Sequence, residues 1–107
     1  MPKYLIQAKI SHEGLKGTMA EGGSARHTAV KKAVTSMGGT LESFYYAFGE
    51  NDIVGIAEMP SNAAMASFAS NVALAGTVSA FATTPLLEPS EVDEAITLKV
   101  DYTPPQA

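Results

Sequence analysis

The stretch from residue 41 to residue 59 constrains the fold of this 107-residue chain more than any other part of its sequence. Residues 41–48 and 53–59 are two runs rich in aromatic and aliphatic side chains, and residues 49–52 form a short polar connection that begins with glycine. This pattern predicts a β-hairpin. Both predicted strands carry apolar side chains on both faces, whereas one layer of helices covers only one face of a sheet. We therefore expect a second copy of the chain to cover the other face.

The segments before the hairpin predict a strand and a helix. Residues 4–10 alternate between apolar and polar side chains, which is typical of a strand. Residues 11–23 contain four glycines and predict a loop, with at most a short helical turn around residues 13–20. Ser24 is the expected N-cap of a helix that ends at the glycine pair 38–39.

The segments after the hairpin predict a second helix and a fourth strand. Ser61 is the expected N-cap of this helix, and Gly76 ends it. Residues 77–84 are rich in β-branched side chains and predict a strand, which Pro85 is expected to stop.

The C-terminal residues predict smaller features. Residues 91–96 are expected to form a short acidic helix, and residues 98–102 a short edge strand. The composition of residues 103–107 predicts a flexible tail, so we expect a single domain over residues 1–102.

The predicted order of elements is strand, helix, strand, strand, helix, strand. This order indicates an α+β protein with the ferredoxin-like βαββαβ arrangement, in which both helices lie on one face of a four-stranded antiparallel sheet. A right-handed crossover in each strand-helix-strand unit leaves few alternative topologies.

Composition excludes several classes of function. The seven Lys and Arg are outnumbered by eleven Asp and Glu, so binding of nucleic acid through its phosphates is not expected. The chain has no cysteine, which excludes disulfides, thiolate nucleophiles and cysteine-bound zinc. The N-terminal residues run directly into a predicted strand, so we expect no signal peptide and a cytoplasmic location.

One long segment has no charged side chain. Residues 59–87 contain no Lys, Arg, Asp or Glu, but prolines and glycine interrupt them, so they do not predict a transmembrane helix and no membrane partner is expected. Two interpretations are open, and they are compatible. The segment is a buried helix and strand, or its surface meets another subunit or an apolar ligand.

Five short motifs along the chain can be compared with known families: Pro2–Ile6, Glu13–Gly17, Glu21–Ser24 with Arg26, Phe48–Val54 and Thr83–Leu87. They resemble those of the GYD-domain proteins, and the resemblance covers almost the whole chain. It implies a dimeric α/β barrel, in which two ferredoxin-like sheets of a homodimer pack face to face, and it implies no specific activity. Asn51 stands where the motif that gives the family its name would have Tyr.

The glycine-rich approach to the first long helix is the main candidate ligand site. A helix N-terminus presents unpaired N–H groups and a positive dipole end, and a nearby cation strengthens its attraction for anions. The sequence therefore predicts a carboxylate or phosphate site formed by Lys16, Gly22, Gly23, Ser24 and Arg26. The alternative is ordinary capping, with Arg26 paired to a nearby glutamate.

Four residues are candidates for catalysis, each with a structural alternative. Asp52 begins the third strand and is a candidate general base, although the alternative, in which its carboxylate accepts backbone N–H groups of the turn, is favoured. His12 and His27 are candidate proton carriers. Their spacing is unsuitable for a shared metal, and we expect no metal and no cofactor. Tyr46 is a candidate hydroxyl donor to a pocket or, alternatively, an aromatic packing residue.

Three functions remain open at the level of the sequence. The first is a homodimer or higher homo-oligomer that binds a small, possibly anionic molecule between helices and sheet. The second is a cofactor-independent enzyme in the style of the monooxygenases and isomerases of the dimeric α/β-barrel group. The third is a structural subunit that only assembles.

Overall fold

A computed structural model of the chain describes residues 1–106 and contains four strands and four helices in that range. Two consecutive helices follow the first strand, and a short helix follows the last one. No helix within the described residues is both long and apolar enough to cross a bilayer. The elements are β1 Lys3–Ile10, α1 His12–Glu21, α2 Gly23–Ser36, β2 Thr40–Tyr46, β3 Ile53–Glu58, α3 Asn62–Leu74, β4 Val78–Leu86 and α4 Pro89–Ala95.

The four strands form one antiparallel sheet in the order β2-β3-β1-β4. In the register, Ile6 lies between Gly55 of β3 and Thr83 of β4, so side chains of these residues share one face. Helix α2 packs over β2 and α3 packs over β4. The predicted α+β fold with a four-stranded antiparallel sheet is therefore confirmed.

The core lies between this sheet and the two long helices. Alternate residues of β1 are buried while their neighbours face the other side of the sheet, as its period of two predicts. Apolar side chains of both helices contribute to the core. Its buried members are Tyr4, Ile6, Val34, Ala57, Met59, Met65 and Phe68.

The predicted loop at residues 11–23 is wrong for most of its length, because residues 12–21 form helix α1. The Ser11 hydroxyl caps this helix by accepting the N–H of Gly14 at 3.0 Å and donates to the Gly76 carbonyl at 2.6 Å. A Cβ at Gly14 would overlap the backbone oxygen of Thr77. Gly14 thus permits close packing between α1 and the turn before β4, rather than breaking the helix.

The predicted N-cap of the next helix also requires correction. Gly22, and not Ser24, is the N-cap of α2, and the helix begins at Gly23. Gly22 has φ +91°, a conformation that favours glycine, and this allows the chain to turn from α1 into α2 without a longer loop. The predicted end of the helix is confirmed, since Gly38 has φ +81° and Gly39 donates to the Val34 carbonyl.

The hairpin has the predicted strands, but β2 ends at Tyr46, two residues earlier than expected. Glu42 is an extra residue between the Leu41–Ala57 and Ser43–Ile56 pairs, which makes a β-bulge. A Cβ on Gly55 of β3 would lie 2.7 Å from the Ser43 carbonyl oxygen, so the bulge requires glycine there.

Pro85 does not stop the fourth strand as predicted, because β4 continues to Leu86 and Pro85 pairs with Tyr4 of β1. β4 is an edge of the sheet, so proline is accommodated where its missing N–H costs no hydrogen bond within the sheet.

The C-terminal residues differ most from the prediction. The acidic helix is present as α4, but residues 98–102 form no strand. Every residue from 87 to 106 is exposed. The radius of gyration is 17.1 Å, larger than the ~13 Å of a compact domain of this length, as expected when a segment projects from the body. Ala107 lies outside the described residues, and the flexible tail at residues 103–107 stays a prediction.

Two glycines of α1 provide a matched test of this packing. We expect Gly14→Ala to reduce the free energy of unfolding by about 1–3 kcal/mol, because the clash with Thr77 outweighs the better helix propensity of alanine. The control is Gly17→Ala, where the nearest atom to a new Cβ is 4.0 Å away, and which should stabilise by roughly 0.5–1 kcal/mol. Urea denaturation measures both. Equal effects of the two substitutions would contradict the packing role of Gly14.

Candidate functional site

A cavity of about 270 Å³ lies between the helices and the sheet, beneath the N-terminal half of α2 and the C-terminal half of α3. Helix α1 contributes one wall and the central strands β1 and β3 form the floor. Most of the lining is apolar. It comprises Ile6, Ala8, Ile10, Gly14, Thr18, Arg26, Ala29, Val30, Ala33, Leu41, Phe44, Tyr46, Ile53, Gly55, Phe68, Asn71, Val72, Ala75, Thr77, Val78 and Phe81.

Small side chains explain why space remains between these layers. Ala8 of β1 and Gly55 of β3 face the cavity from the two central strands, and Ala29 and Ala33 face it from α2. Gly55 is fixed by the bulge in β2, and it leaves the middle of the sheet without a side chain. Larger aliphatic residues at these positions would fill the space, as they do where Met59 and Val34 are fully buried farther along the core.

Two polar residues of the wall already donate hydrogen bonds within their own helices. The Thr18 hydroxyl donates to the Gly14 carbonyl at 3.0 Å, and the Asn71 amide donates to the Ser67 carbonyl at 2.8 Å. The Thr18 bond uses the one donor of the hydroxyl, whereas the Asn71 amide keeps a second N–H. Toward a ligand, Thr18 can therefore act as an acceptor, and Asn71 as an acceptor or as a donor.

Arg26 is the positive charge on the cavity wall. It lies in the first turn of α2, and its side chain is 33% exposed. Its Nη1 lies 3.8 Å from Glu21 Oε1, a loose ion pair that is longer than a hydrogen bond. A guanidinium has five N–H donors in a planar fork, so most of its donor capacity is available to a carboxylate or phosphate.

Tyr46 lies beside Arg26 and connects β2 to the start of α2. Its hydroxyl donates to the Gly23 carbonyl at 3.2 Å, and a Cβ on Gly23 would lie 3.0 Å from its ring. Glycine is therefore needed at residue 23 so that the ring can pack against the helix terminus. Burial raises the pKa of the Tyr46 phenol above its ordinary value, and the charge of Arg26 opposes this in part. The phenol is thus neutral at physiological pH.

His27 belongs to a shallower depression outside the main cavity. Gly23, Ser24, His27, Phe44 and Tyr46 line this depression. The His27 ring stacks on Phe44 with centroids 5.0 Å apart, and Phe44 meets Tyr46 edge to face at 5.3 Å. Because Phe44 and Tyr46 also line the main cavity, this aromatic row separates the histidine from it.

The predicted anion site is therefore divided by the structure. Gly23 and Ser24 line the shallow depression and Arg26 lines the cavity, with Tyr46 between them. Lys16 is exposed on α1 and pairs with Glu13 at 3.9 Å, and Gly22 forms the turn before α2. Neither residue lines the cavity or the depression.

Of the four catalytic candidates, His27 and Tyr46 line the same shallow depression with Phe44 between them, whereas His12 and Asp52 lie elsewhere. His12 is exposed at the start of α1, and Asp52 does not line the cavity. The Asp52 carboxylate accepts the N–H of Ile10 at 2.8 Å, and its backbone N–H donates to the Ala8 carbonyl at 2.8 Å. These bonds fasten the hairpin to the end of β1, which supports the structural interpretation of Asp52.

No group of three or more His, Asp or Glu with the arrangement of a metal site occurs among residues 1–106. The Tyr4 hydroxyl donates to the Asn62 side chain in the core.

Sequence reasoning expected a ligand between helices and sheet, but it did not identify the small residues that leave space there. Ala8 and Gly55 occupy inward positions of strands that become neighbours at the centre of the sheet. Small residues at two such positions are a signal of space in the core, but it becomes visible only when the strand register is known.

Comparison with known proteins assigns the chain to a family. The family model described as the GYD domain matches residues 4–96, which include all four helices and all of the four strands except Lys3, the first residue of β1. The chain therefore belongs to the GYD domain family. No curated protein matches the chain significantly.

The bond from Asp52 to Ile10 yields a prediction about stability. We expect Asp52→Ala to lower the free energy of unfolding by about 1–3 kcal/mol, because the Ile10 N–H loses its acceptor. Asp52→Asn should recover much of the loss, since an amide oxygen also accepts. Glu50→Ala, in the exposed part of the same loop, should change stability by less than about 0.5 kcal/mol. If the asparagine variant were as unstable as the alanine variant in urea denaturation, the hydrogen bond would not be the reason.

Proposed function

We propose that this GYD-domain protein is a homodimer that binds a small, mostly apolar molecule with one anionic group in the cavity between its helices and its sheet. The observation that carries the proposal is the composition of the cavity wall, which is apolar on nearly every side and bears the Arg26 guanidinium on one. Concave apolar sites with a few placed polar groups are the usual sites of small molecules in proteins.

The size of the cavity limits the ligand. At about 270 Å³, it is near the lower end of the range for small-molecule sites and holds a ligand on the order of ten non-hydrogen atoms. Aliphatic and aromatic side chains would contact the body of such a ligand. The guanidinium would bind its carboxylate with two parallel hydrogen bonds.

The surroundings of Arg26 favour an anion over a cation. Arg26 lies in the first turn of α2, where the helix dipole adds positive potential. The neutral phenol of Tyr46 adds no negative charge at the same place. The acidic neighbour of Arg26 is Glu21, whose side chain is 55% exposed and forms a loose ion pair with the guanidinium. Exposed ion pairs contribute little free energy, so an anionic ligand can compete with Glu21 for Arg26.

The enzymatic alternative has weaker support. General acid-base catalysis needs a group that changes protonation near physiological pH and reaches the reacting atoms. The ionisable side chains on the cavity wall are Arg26 and Tyr46, and both retain their protons at neutral pH. His27 lies in the other depression. A purely structural role is served better by a filled core, because a cavity lowers stability.

The second face of the sheet supports the homodimer. Leu5, Val54 and Ile56 lie next to one another on this face, which no helix of the chain covers within the described residues. Lys3 and Glu42 form an ion pair of 2.9 Å at its border. An apolar centre with a polar border is the composition of a protein interface. A stable pair of sheets would bury on the order of 1,500 Å² or more.

Octanoate and cinnamate, each compared with its neutral amide, are suitable probes of the cavity. We expect Arg26→Ala to weaken carboxylate binding by about tenfold or more, as loss of charged hydrogen bonds predicts, and to leave binding of the amides unchanged. Ala8→Val should weaken binding of both classes because it fills the floor. Isothermal titration calorimetry gives the dissociation constants.

Lys16→Ala is the matched charge control for this experiment, since Lys16 lies outside the cavity wall. Its dissociation constants should equal those of the wild type. Carboxylates that bind the wild type and the Arg26→Ala variant equally well, or that bind neither, would overturn the assignment of the anionic group.

Sedimentation equilibrium tests the homodimer. We expect a dimer at micromolar concentration, and a monomer after Ile56→Lys, because a buried unpaired ammonium destabilises an apolar interface. Lys31→Glu on the exposed side of α2 changes charge away from this face and should leave the dimer intact. Circular dichroism checks that each variant is folded. A wild-type protein that is only monomeric would contradict the proposal.

A further inference from the structure

The C-terminal segment of the chain, residues 87–102, leaves the body of the protein with its apolar side chains exposed. We call it the C-terminal arm. Leu98, Val100 and Tyr102 are 67%, 81% and 71% exposed, and Ile96 is 79% exposed. A capping box between Glu88 and Glu91 fixes the start of α4 and directs the arm away from β4. Single exposed apolar residues are common, but a contiguous series of them marks a surface that binds something.

The end of the arm has the sequence pattern of a strand. From residue 96 to residue 102, Ile, Leu, Val and Tyr alternate strictly with Thr, Lys and Asp. This period of two is typical of a strand with one apolar face. In the structure, the N–H groups of residues 96–98 donate to carbonyls of α4 and close its last turn, and no residue from 96 to 102 belongs to a strand. The pattern and the isolation of the segment are compatible if its partner strand belongs to another molecule.

The sheet offers an unpaired edge that suits this segment. β4 is an outer strand, and its residues 78–84 carry no charged side chain. Exposed edges are normally protected by charges, proline or a cover. Pro85 protects only the far end of β4. Residues 78–84 and residues 96–102 are runs of equal length, so one can add to the other along its whole length once the turn at residues 96–98 opens. The second edge, β2, is shorter and interrupted by the bulge at Glu42.

The distribution of charge favours a second copy of this chain as the partner. The arm contains five acidic residues and one basic residue, Lys99. The remaining residues have equal numbers of acidic and basic side chains, so the arm carries the whole net charge of −4. Two arms therefore repel each other, whereas a neutral body with exposed lysines such as Lys9 accepts an arm.

We propose that the C-terminal arm docks on a second copy of the chain, where residues 96–102 add a strand to the free edge of β4. Addition of a strand satisfies the outward N–H and C=O groups of β4 and buries the alternating apolar side chains of the arm. This inference rests on the proposed homodimer and specifies which segments the two copies exchange. It is independent of the ligand.

Amide hydrogen exchange on the full-length protein tests whether the arm is docked. We expect amides in residues 98–102 and every second amide of residues 78–84 to exchange at least about tenfold more slowly than in a free segment. The double variant Leu98→Lys with Val100→Lys should lose protection in both segments together. Lys99→Ser with Asp101→Ser, on the polar side of the same segment, is the control and should retain it.

A spin label identifies which copy holds the arm. The chain has no cysteine, so Asp101→Cys provides a single attachment site on the polar side of the segment. Spin-labelled protein is mixed with ¹⁵N-labelled wild type, and only contacts between copies then broaden ¹⁵N signals. We expect broadening at residues 78–84 of the ¹⁵N-labelled copy.

The outcomes separate this inference from the proposed dimer. A dimer in sedimentation whose arm amides exchange freely overturns the docking of the arm and leaves the dimer standing. Protected arm amides without broadening in the mixture mean that the arm folds back on its own chain, which also overturns the inference. A protein that is only monomeric overturns both proposals. Ligand titrations affect none of these results.

Discussion

The structure depends on one constraint: a four-stranded sheet has two faces, and this chain supplies helices for only one of them. Alternate residues of β1 show both consequences within a single strand. Tyr4, Ile6 and Ala8 are buried under the helices, while Leu5 and Gln7 face the uncovered side. Side chains of a strand alternate between the two faces of the sheet. A shift of the β1 register by one residue would therefore move every buried side chain to the uncovered face. The two faces are therefore separate surfaces: the covered face forms the core, and the uncovered face is the one proposed to pack against a second copy.

The cavity follows from how two helices cover four strands. Strands lie about 4.8 Å apart and packed helices 8–10 Å apart, so two adjacent helices match the width of this sheet. Space between the layers then depends on side-chain volume. Ala8 and Gly55 below, with Ala29 and Ala33 above, leave that space near one end of the sheet, while Met59 and Val34 fill the other end. Gly55 serves two purposes, because the bulge at Glu42 requires it and the cavity uses the volume that it leaves.

Local patterns predicted the elements that local interactions determine. The hairpin, the Ser61 cap and the glycine end of α2 depend on residues within a few positions of each other, and all three were predicted from the sequence. Helix α1 was not, because Gly14 resembles a helix breaker until its contact with Thr77 is known, and that contact joins residues far apart in the chain. Arg26 was predicted as a site residue from its place at the start of α2. Its apolar surroundings come from six other elements, and no local pattern contained them.

The proposed ligand binding and the proposed assembly use opposite faces of the same two strands. Ile6 and Ala8 of β1 lie on the helix side with the cavity, whereas Leu5 and Gln7 lie on the side proposed for the partner. The two events are therefore separable by substitution, since neighbouring residues in the sequence serve different surfaces. They are also mechanically adjacent, because a ligand that changes the twist of β1 and β3 changes the surface on their other side. Any coupling between the cavity and the proposed interface would have to pass through β1 and β3, because the two surfaces are opposite faces of these strands.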